Sequence, residues 1–115
     1  MFVFLIEANP LISVWLKHQV EARGDKFYHL ASLKDAPYFI QDLNPDVLVI
    51  DGQTAQKDAG EFVMGLKEFP HIKNIPTIGL GLGLPEWAGL LNIKGQLTKP
   101  LNPEKFHAEV IELLK

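Results

Sequence analysis

Three residues that together could manage a divalent cation and a phosphoryl group each follow a candidate strand. Glu7 follows Phe2-Val3-Phe4-Leu5-Ile6, Asp51 follows Val47-Leu48-Val49-Ile50, and Lys99 follows Leu97-Thr98. Carboxylates paired with a lysine suit Mg²⁺ and phosphate, because Mg²⁺ takes one or two carboxylates plus water and substrate oxygens. Such chemistry requires the three side chains to meet. Distant residues of this kind meet at the carboxyl edge of a parallel sheet, where open α/β folds place their sites.

The run before Asp51 is short, uniformly apolar and built of β-branched residues and Leu, as expected of a strand buried on both faces. Asp51-Gly52 then turns the chain. Residues 2–6 read as another buried strand, closed by Glu7-Ala8-Asn9-Pro10, with Asn9 as N-cap and Pro10 in the first turn of a helix that Gly24 ends. Ile12, Trp15, Leu16 and Val20 recur at helical spacing and are expected inward. Lys26–Ala31 reads as a strand, and Asp35-Ala36-Pro37 opens a short helix that Asn44-Pro45 stops.

After the polar loop Gly52–Lys57, Asp58 is the expected cap of a helix with Phe62, Val63, Leu66 and Phe69 inward. Ile75–Leu80 is a fourth strand, followed by a glycine-rich turn at Gly81–Gly83. Pro85–Leu91 has room for roughly two helical turns. Gln96-Leu97-Thr98 reads as a short fifth strand, and Asn102-Pro103 caps a last helix with Phe106, Val110 and Leu114 on one face. Strand and helix thus alternate five times. That order predicts one α/β domain over 1–115: a flavodoxin-like (βα)₅ fold, five parallel strands with helices on both faces. The carboxyl ends of its strands would gather Glu7, Asp51, Gly81 and Lys99.

The composition narrows the function. Eleven basic and fourteen acidic residues give a net charge of −3, with no basic stripe for nucleic acid. No cysteine is present, so neither a disulfide framework nor a thiolate metal site is available. The four histidines show no metal-ligand spacing, and Gly79-Leu80-Gly81-Leu82-Gly83 lacks the third glycine of a nucleotide loop. The apolar N-terminus has no basic n-region, and no segment reaches the roughly 18 apolar residues of a membrane span. A soluble cytoplasmic domain is expected.

Four segments in order carry a resemblance over the whole chain: Leu5-Ile6-Glu7-Ala8-Asn9-Pro10, Pro45-Asp46-Val47-Leu48-Val49-Ile50-Asp51, Ile75-Pro76-Thr77-Ile78 and Leu97-Thr98-Lys99-Pro100-Leu101. The chain resembles the receiver domain of bacterial two-component response regulators. The resemblance implies that Asp51 holds the place of the phosphoacceptor, Glu7 that of one acidic metal-site residue, and Lys99 that of the phosphate-pairing lysine. If Mg²⁺ binds, its ligands would be Glu7, Asp51 and the Gln53 carbonyl.

The sequence departs from the family pattern in a cluster. The second acidic residue is Ala8, the phosphate-binding hydroxyl is Gly81, the switch aromatic is Gln96, and the pair after the phosphoacceptor loop is Thr54-Ala55. The segment between the last two strands is also shorter than in the family. These departures imply a degenerate receiver, or pseudo-receiver, with no enzymatic activity beyond at most autophosphorylation from a kinase. No cofactor is required, and Mg²⁺ binding would be weak. The partner is expected to be a histidine kinase or a downstream signalling protein, with Trp87 and Gln96 as candidate contact residues. A homodimer would use the face from the fourth strand to the fifth, C-terminal helix. The alternative is a working receiver phosphorylated on Asp51 with Mg²⁺. With no acidic residue at position 8, the simplest arrangement is Lys99 pairing with Asp51 and neutralising the cleft, with Glu7 either capping the cleft or meeting Lys99.

Overall fold

The computed structural model describes residues 1–115. The chain runs β1 (Phe2–Ile6), α1 (Pro10–Ala22), β2 (Lys26–Leu30), α2 (Ala36–Leu43), β3 (Val47–Asp51), α3 (Ala59–Glu68), β4 (Pro76–Leu80), β5 (Asn92–Leu97) and α4 (Pro103–Leu114). Short 3₁₀ turns occupy Thr54–Gln56, Pro70–Asn74 and Glu86–Leu90. All strands are parallel, in the order β2-β1-β3-β4-β5. The fold is the expected five-stranded flavodoxin-like α/β/α sandwich.

Alternating strand residues feed two core layers, because successive side chains point to opposite faces. Phe4, Ile6, Leu48 and Ile50 pack with Ala36 and Ile40 of α2 and Phe62 and Leu66 of α3. Val3, Leu5, Val47, Val49, Ile78 and Leu80 pack with Leu16 and Val20 of α1 and Phe106 and Val110 of α4. Every residue of β3 is buried, as its unbroken apolar run requires. Gly65 is dictated by packing: a Cβ there would collide with the Pro37 ring, so the glycine sets how closely α3 meets α2.

Asn9 and Asn102 cap as expected, each side chain accepting from an N–H two residues on, at 2.9 and 3.0 Å. Asp58 does not. It sits at φ 62°, as Asp35 does at φ 61°, and neither side chain caps its helix. Both turn the backbone through the left-handed region, which Asp and Asn tolerate better than most residues. Asn44 likewise ends α2 at φ 49°.

Three expectations are corrected. Trp15 is not core: it is 52 % exposed, because the buried stripe of α1 runs through Ser13, Leu16 and Val20. Ser13 tolerates burial because its hydroxyl donates to the Pro10 carbonyl at 2.9 Å. The fifth strand spans Asn92–Leu97 rather than 96–98. As an edge strand with exposed Ile93 and Lys94, it lacks an apolar run, and Lys94 bulges out of register with β4. Finally, the connection from β4 to β5 holds only the 3₁₀ turn Glu86–Leu90, so the fold has four α-helices and not five.

Candidate functional site

The carboxyl edge of the sheet opens on a cleft of about 600 Å³ lined by Glu7, Ala8, Asn9, Asp51, Gln53, Thr54 and Lys99, with Lys57 and Asp58 at its side. Each key residue arrives by the same device. β1 delivers Glu7, β3 ends on Asp51, and the chain leaving β5 presents Lys99. The three side chains therefore meet at one edge, with Lys99 touching both carboxylates.

The two carboxylates are almost wholly inside the protein, Glu7 at 1 % exposure and Asp51 at 3 %. Charges so buried must be paired. Lys99 pairs both: its Nζ lies 2.5 Å from Glu7 Oε1 and 3.0 Å from Asp51 Oδ1. The Asp51 Oδ2 accepts the Thr54 hydroxyl at 2.6 Å and the Thr54 N–H at 3.0 Å. Thr54 Oγ1 in turn accepts the Ala8 N–H at 3.0 Å. Glu7 Oε2 accepts the Asn9 N–H at 3.3 Å, and the Glu7 carbonyl takes a 2.7 Å contact from His29 Nε2.

These partners set the titration of the pair. Burial pushes the Asp51 carboxyl up, but the Thr54 hydroxyl, Lys99 and the Thr54 N–H outweigh it, so the group titrates below its ordinary value. Burial works against the Lys99 ammonium, yet the hydrogen bonds and charges of Glu7 and Asp51 raise its pKa. A depressed Asp51 pKa contributes stability that is present above the unfolded value of about 4 and disappears as pH falls through the folded one. An Asp51→Asn variant is accordingly expected to show a shallower acid limb than wild type in stability-against-pH curves from chemical denaturation. Equal acid limbs would show that Asp51 is not held in its charged form by this network.

Thr54 has a role here that the sequence pattern does not assign it, since the family resemblance marks it only as a departure from the usual pair. The signal was the Asp51-x-x-Thr54 spacing, which lets a carboxylate accept both the N–H and the hydroxyl of one downstream residue as a short turn begins. The glycine at position 81 also has a local cause. It lies at φ 72°, and a Cβ there would be 2.9 Å from Lys99 Cδ, so a hydroxyl-bearing residue would meet both backbone strain and the lysine stem.

Gln96 is exposed but turned back on the fold. Its amide donates to the Gly81 and Leu82 carbonyls at 2.9 and 3.2 Å and lies over Gly79. Trp87 does not project to solvent as a hot-spot residue would. It is half-buried, its ring 5.2 Å from that of Phe62, and its Nε1 is buried without a hydrogen-bond partner. The exposed tryptophan is Trp15, beside outward Leu11 and Val14 on α1.

The donor set does not suit Mg²⁺ as it is arranged. The expected ligands offer five oxygens: two from Glu7, two from Asp51 and the Gln53 carbonyl. Each already accepts a protein donor, the last from the Gln56 N–H at 3.2 Å. Ala8 supplies no oxygen from its side chain, and the Lys99 ammonium lies between the two carboxylates.

No family model matches the chain, and no curated protein matches it by sequence. Solved structures do match by fold. The chemotaxis response regulator CheY4 of Vibrio cholerae superposes with a TM-score of 0.77 at 22 % identity, with 97 % of each chain covered. The receiver domain of the hybrid histidine kinase CckA superposes at 0.74 with 14 % identity and full coverage of both chains. An orphan response regulator of H. pylori superposes at 0.71 with 20 % identity, covering 100 % of this chain and 97 % of its own. At these identities the likeness establishes the receiver fold.

Proposed function

We propose that the chain is a receiver-like signalling domain of a bacterial two-component or related pathway, and that it works by protein contact and not by accepting a phosphoryl group. The receiver fold supports the first half. One observation carries the second: Lys99 bridges the buried Glu7 and Asp51 while Thr54 occupies the remaining Asp51 oxygen. Phosphoryl transfer to a carboxylate depends on positioning and on neutralising charge around the phosphate. Here the acceptor carboxylate is already committed to two protein partners. The switch hydroxyl and aromatic of the family are replaced by Gly81 and Gln96, and the latter pins the turn after β4.

No helix is long and apolar enough to cross a membrane, and a cytoplasmic location belongs to the proposal. The partner is a kinase or a downstream signalling protein. The segment from the turn after β4 into β5 exposes Leu82, Leu90 and Ile93, which supports the face running on to α4 as the surface for the contact or a homodimer. A second reading, a phosphoaccepting receiver, is favoured by one fact: Asp51 still lines an open cleft.

Beryllofluoride with millimolar Mg²⁺ separates the two. The expected result is no stable adduct and no amide shifts beyond the cleft in a heteronuclear NMR spectrum. A stable adduct on Asp51 with shifts through residues 81–99 would overturn the contact-only reading.

A further inference from the structure

We propose that Thr54 ties the cleft together in place of a divalent cation. The inference rests on the contact-only reading of the same site and explains how the site holds without metal. A cation at this edge would join the turn after β1 to the loop after β3 by taking oxygens from each. Here the same two segments are joined by one hydroxyl. Thr54 Oγ1 accepts the N–H of Ala8, 46 residues away in sequence, and donates its own proton to Asp51 Oδ2. Its donor and one acceptor site are thereby used, and the residue is only 8 % exposed.

The hydroxyl also shuts out the competitor. A carboxylate oxygen has about two acceptor sites. Both sites of Asp51 Oδ2 are filled by Thr54, one by its N–H and one by its O–H. Lys99 holds Oδ1 and places a positive charge beside any incoming cation. Ala8 meets Thr54 through its backbone N–H and contributes no carboxylate. Thr54 is therefore a positioning residue: it fixes Asp51 and the β1 turn and fills both acceptor sites of Asp51 Oδ2.

Thr54→Val keeps the side-chain shape and removes the hydroxyl. Thr54→Ser keeps the hydroxyl, and Thr54→Ala is a second deletion should valine disturb the packing. Mn²⁺ added to each protein reads the metal site through paramagnetic broadening of amides 7–9 and 51–54. Hydrogen exchange at the Ala8 amide reads the tie itself, with no metal present. Wild type and Thr54→Ser are expected to show no selective broadening at millimolar Mn²⁺ and a protected Ala8 amide. The valine or alanine variant should exchange Ala8 about tenfold faster, as the loss of one typical hydrogen bond implies. It should also show selective broadening in the cleft.

Unchanged Ala8 exchange in both deletion variants, or no gain of broadening in either, overturns the role of Thr54. That outcome leaves the contact-only reading standing so long as wild type still forms no beryllofluoride adduct. Selective broadening already present in wild type overturns the inference directly. An adduct on wild-type Asp51 sinks the reading beneath it.

Discussion

Replacing Lys99 with methionine is expected to cost about 3 kcal/mol of stability at neutral pH, the lower end for removing one partner of a buried pair. The lower end applies because the Lys99 side chain keeps 31 % exposure and part of its interaction is screened by solvent. The cost comes mainly from what stays behind. Glu7 and Asp51 would be left as two buried carboxylates with no cation between them. For a chain of this size the midpoint of thermal unfolding should fall by roughly 10 °C.

The pH dependence identifies the cause. In wild type, Asp51 titrates below its ordinary value, so this contribution is lost as pH falls. In Lys99→Met, desolvation and repulsion from Glu7 would raise the Asp51 carboxyl pKa above that of the unfolded chain. The folded variant then binds protons more readily than the unfolded one, and its deficit against wild type should shrink as pH falls through the raised value. A Glu7→Gln, Lys99→Met double variant should recover part of the loss at neutral pH, because only one buried charge remains. Urea titrations of the three proteins between pH 5 and pH 8 make the comparison. A deficit independent of pH, with no recovery in the double variant, would mean that Lys99 acts through its packed stem and not through its charge.

The same charges explain why the site and its Lys99–Asp51 pair were legible from sequence while the part played by Thr54 was not. β3 announces itself because a strand buried on both faces must be apolar throughout, and Asp51 is where that run stops. Glu7 and Lys99 follow from topology alone, since parallel strands deliver their carboxyl ends to one edge. Neither fact says what holds the second oxygen of Asp51. That depends on Thr54, whose hydroxyl reaches two partners only because the chain after Asp51 curls into a short 3₁₀ turn. The Asp51-x-x-Thr54 spacing permits that arrangement but does not by itself dictate the turn.

The two tryptophans illustrate a second limit. Helical periodicity fixes the spacing of a buried stripe but not its phase when a small polar residue can be buried. In α1, Ser13 takes an inward position by bonding to its own helix, which turns Trp15 outward. In the short link before β5 no period exists to read, and the burial of Trp87 depends on a partner from α3. β5 is hard to read for a related reason: an edge strand with only Leu97 buried has no apolar pattern to give it away.

Removing that partner should undo the link. Phe62 is fully buried within the core layer under α2 and α3, where Ile50, Leu66 and Ile72 also pack. Truncation to alanine is expected to cost about 3–5 kcal/mol through lost burial and the cavity left behind. The effect should not stop at the cavity. With no α-helix between β4 and β5, the 3₁₀ turn Glu86–Leu90 is short, and its main apolar side chain, Trp87, lies against the Phe62 ring. In Phe62→Ala this ring loses its aromatic neighbour, and the turn should loosen from the sheet. Tryptophan fluorescence in a Trp15→Phe background reports on Trp87 alone. Trp15→Phe itself should change stability by no more than about 0.5 kcal/mol, as expected for an exposed site. Phe62→Ala in that background should shift the emission to the red while the protein is still folded by circular dichroism, and quenching by iodide should rise. A destabilised protein whose Trp87 emission and quenching stay unchanged would place the anchor elsewhere, on the packing of Ala88 and Leu91, which are also buried at this end of the sheet.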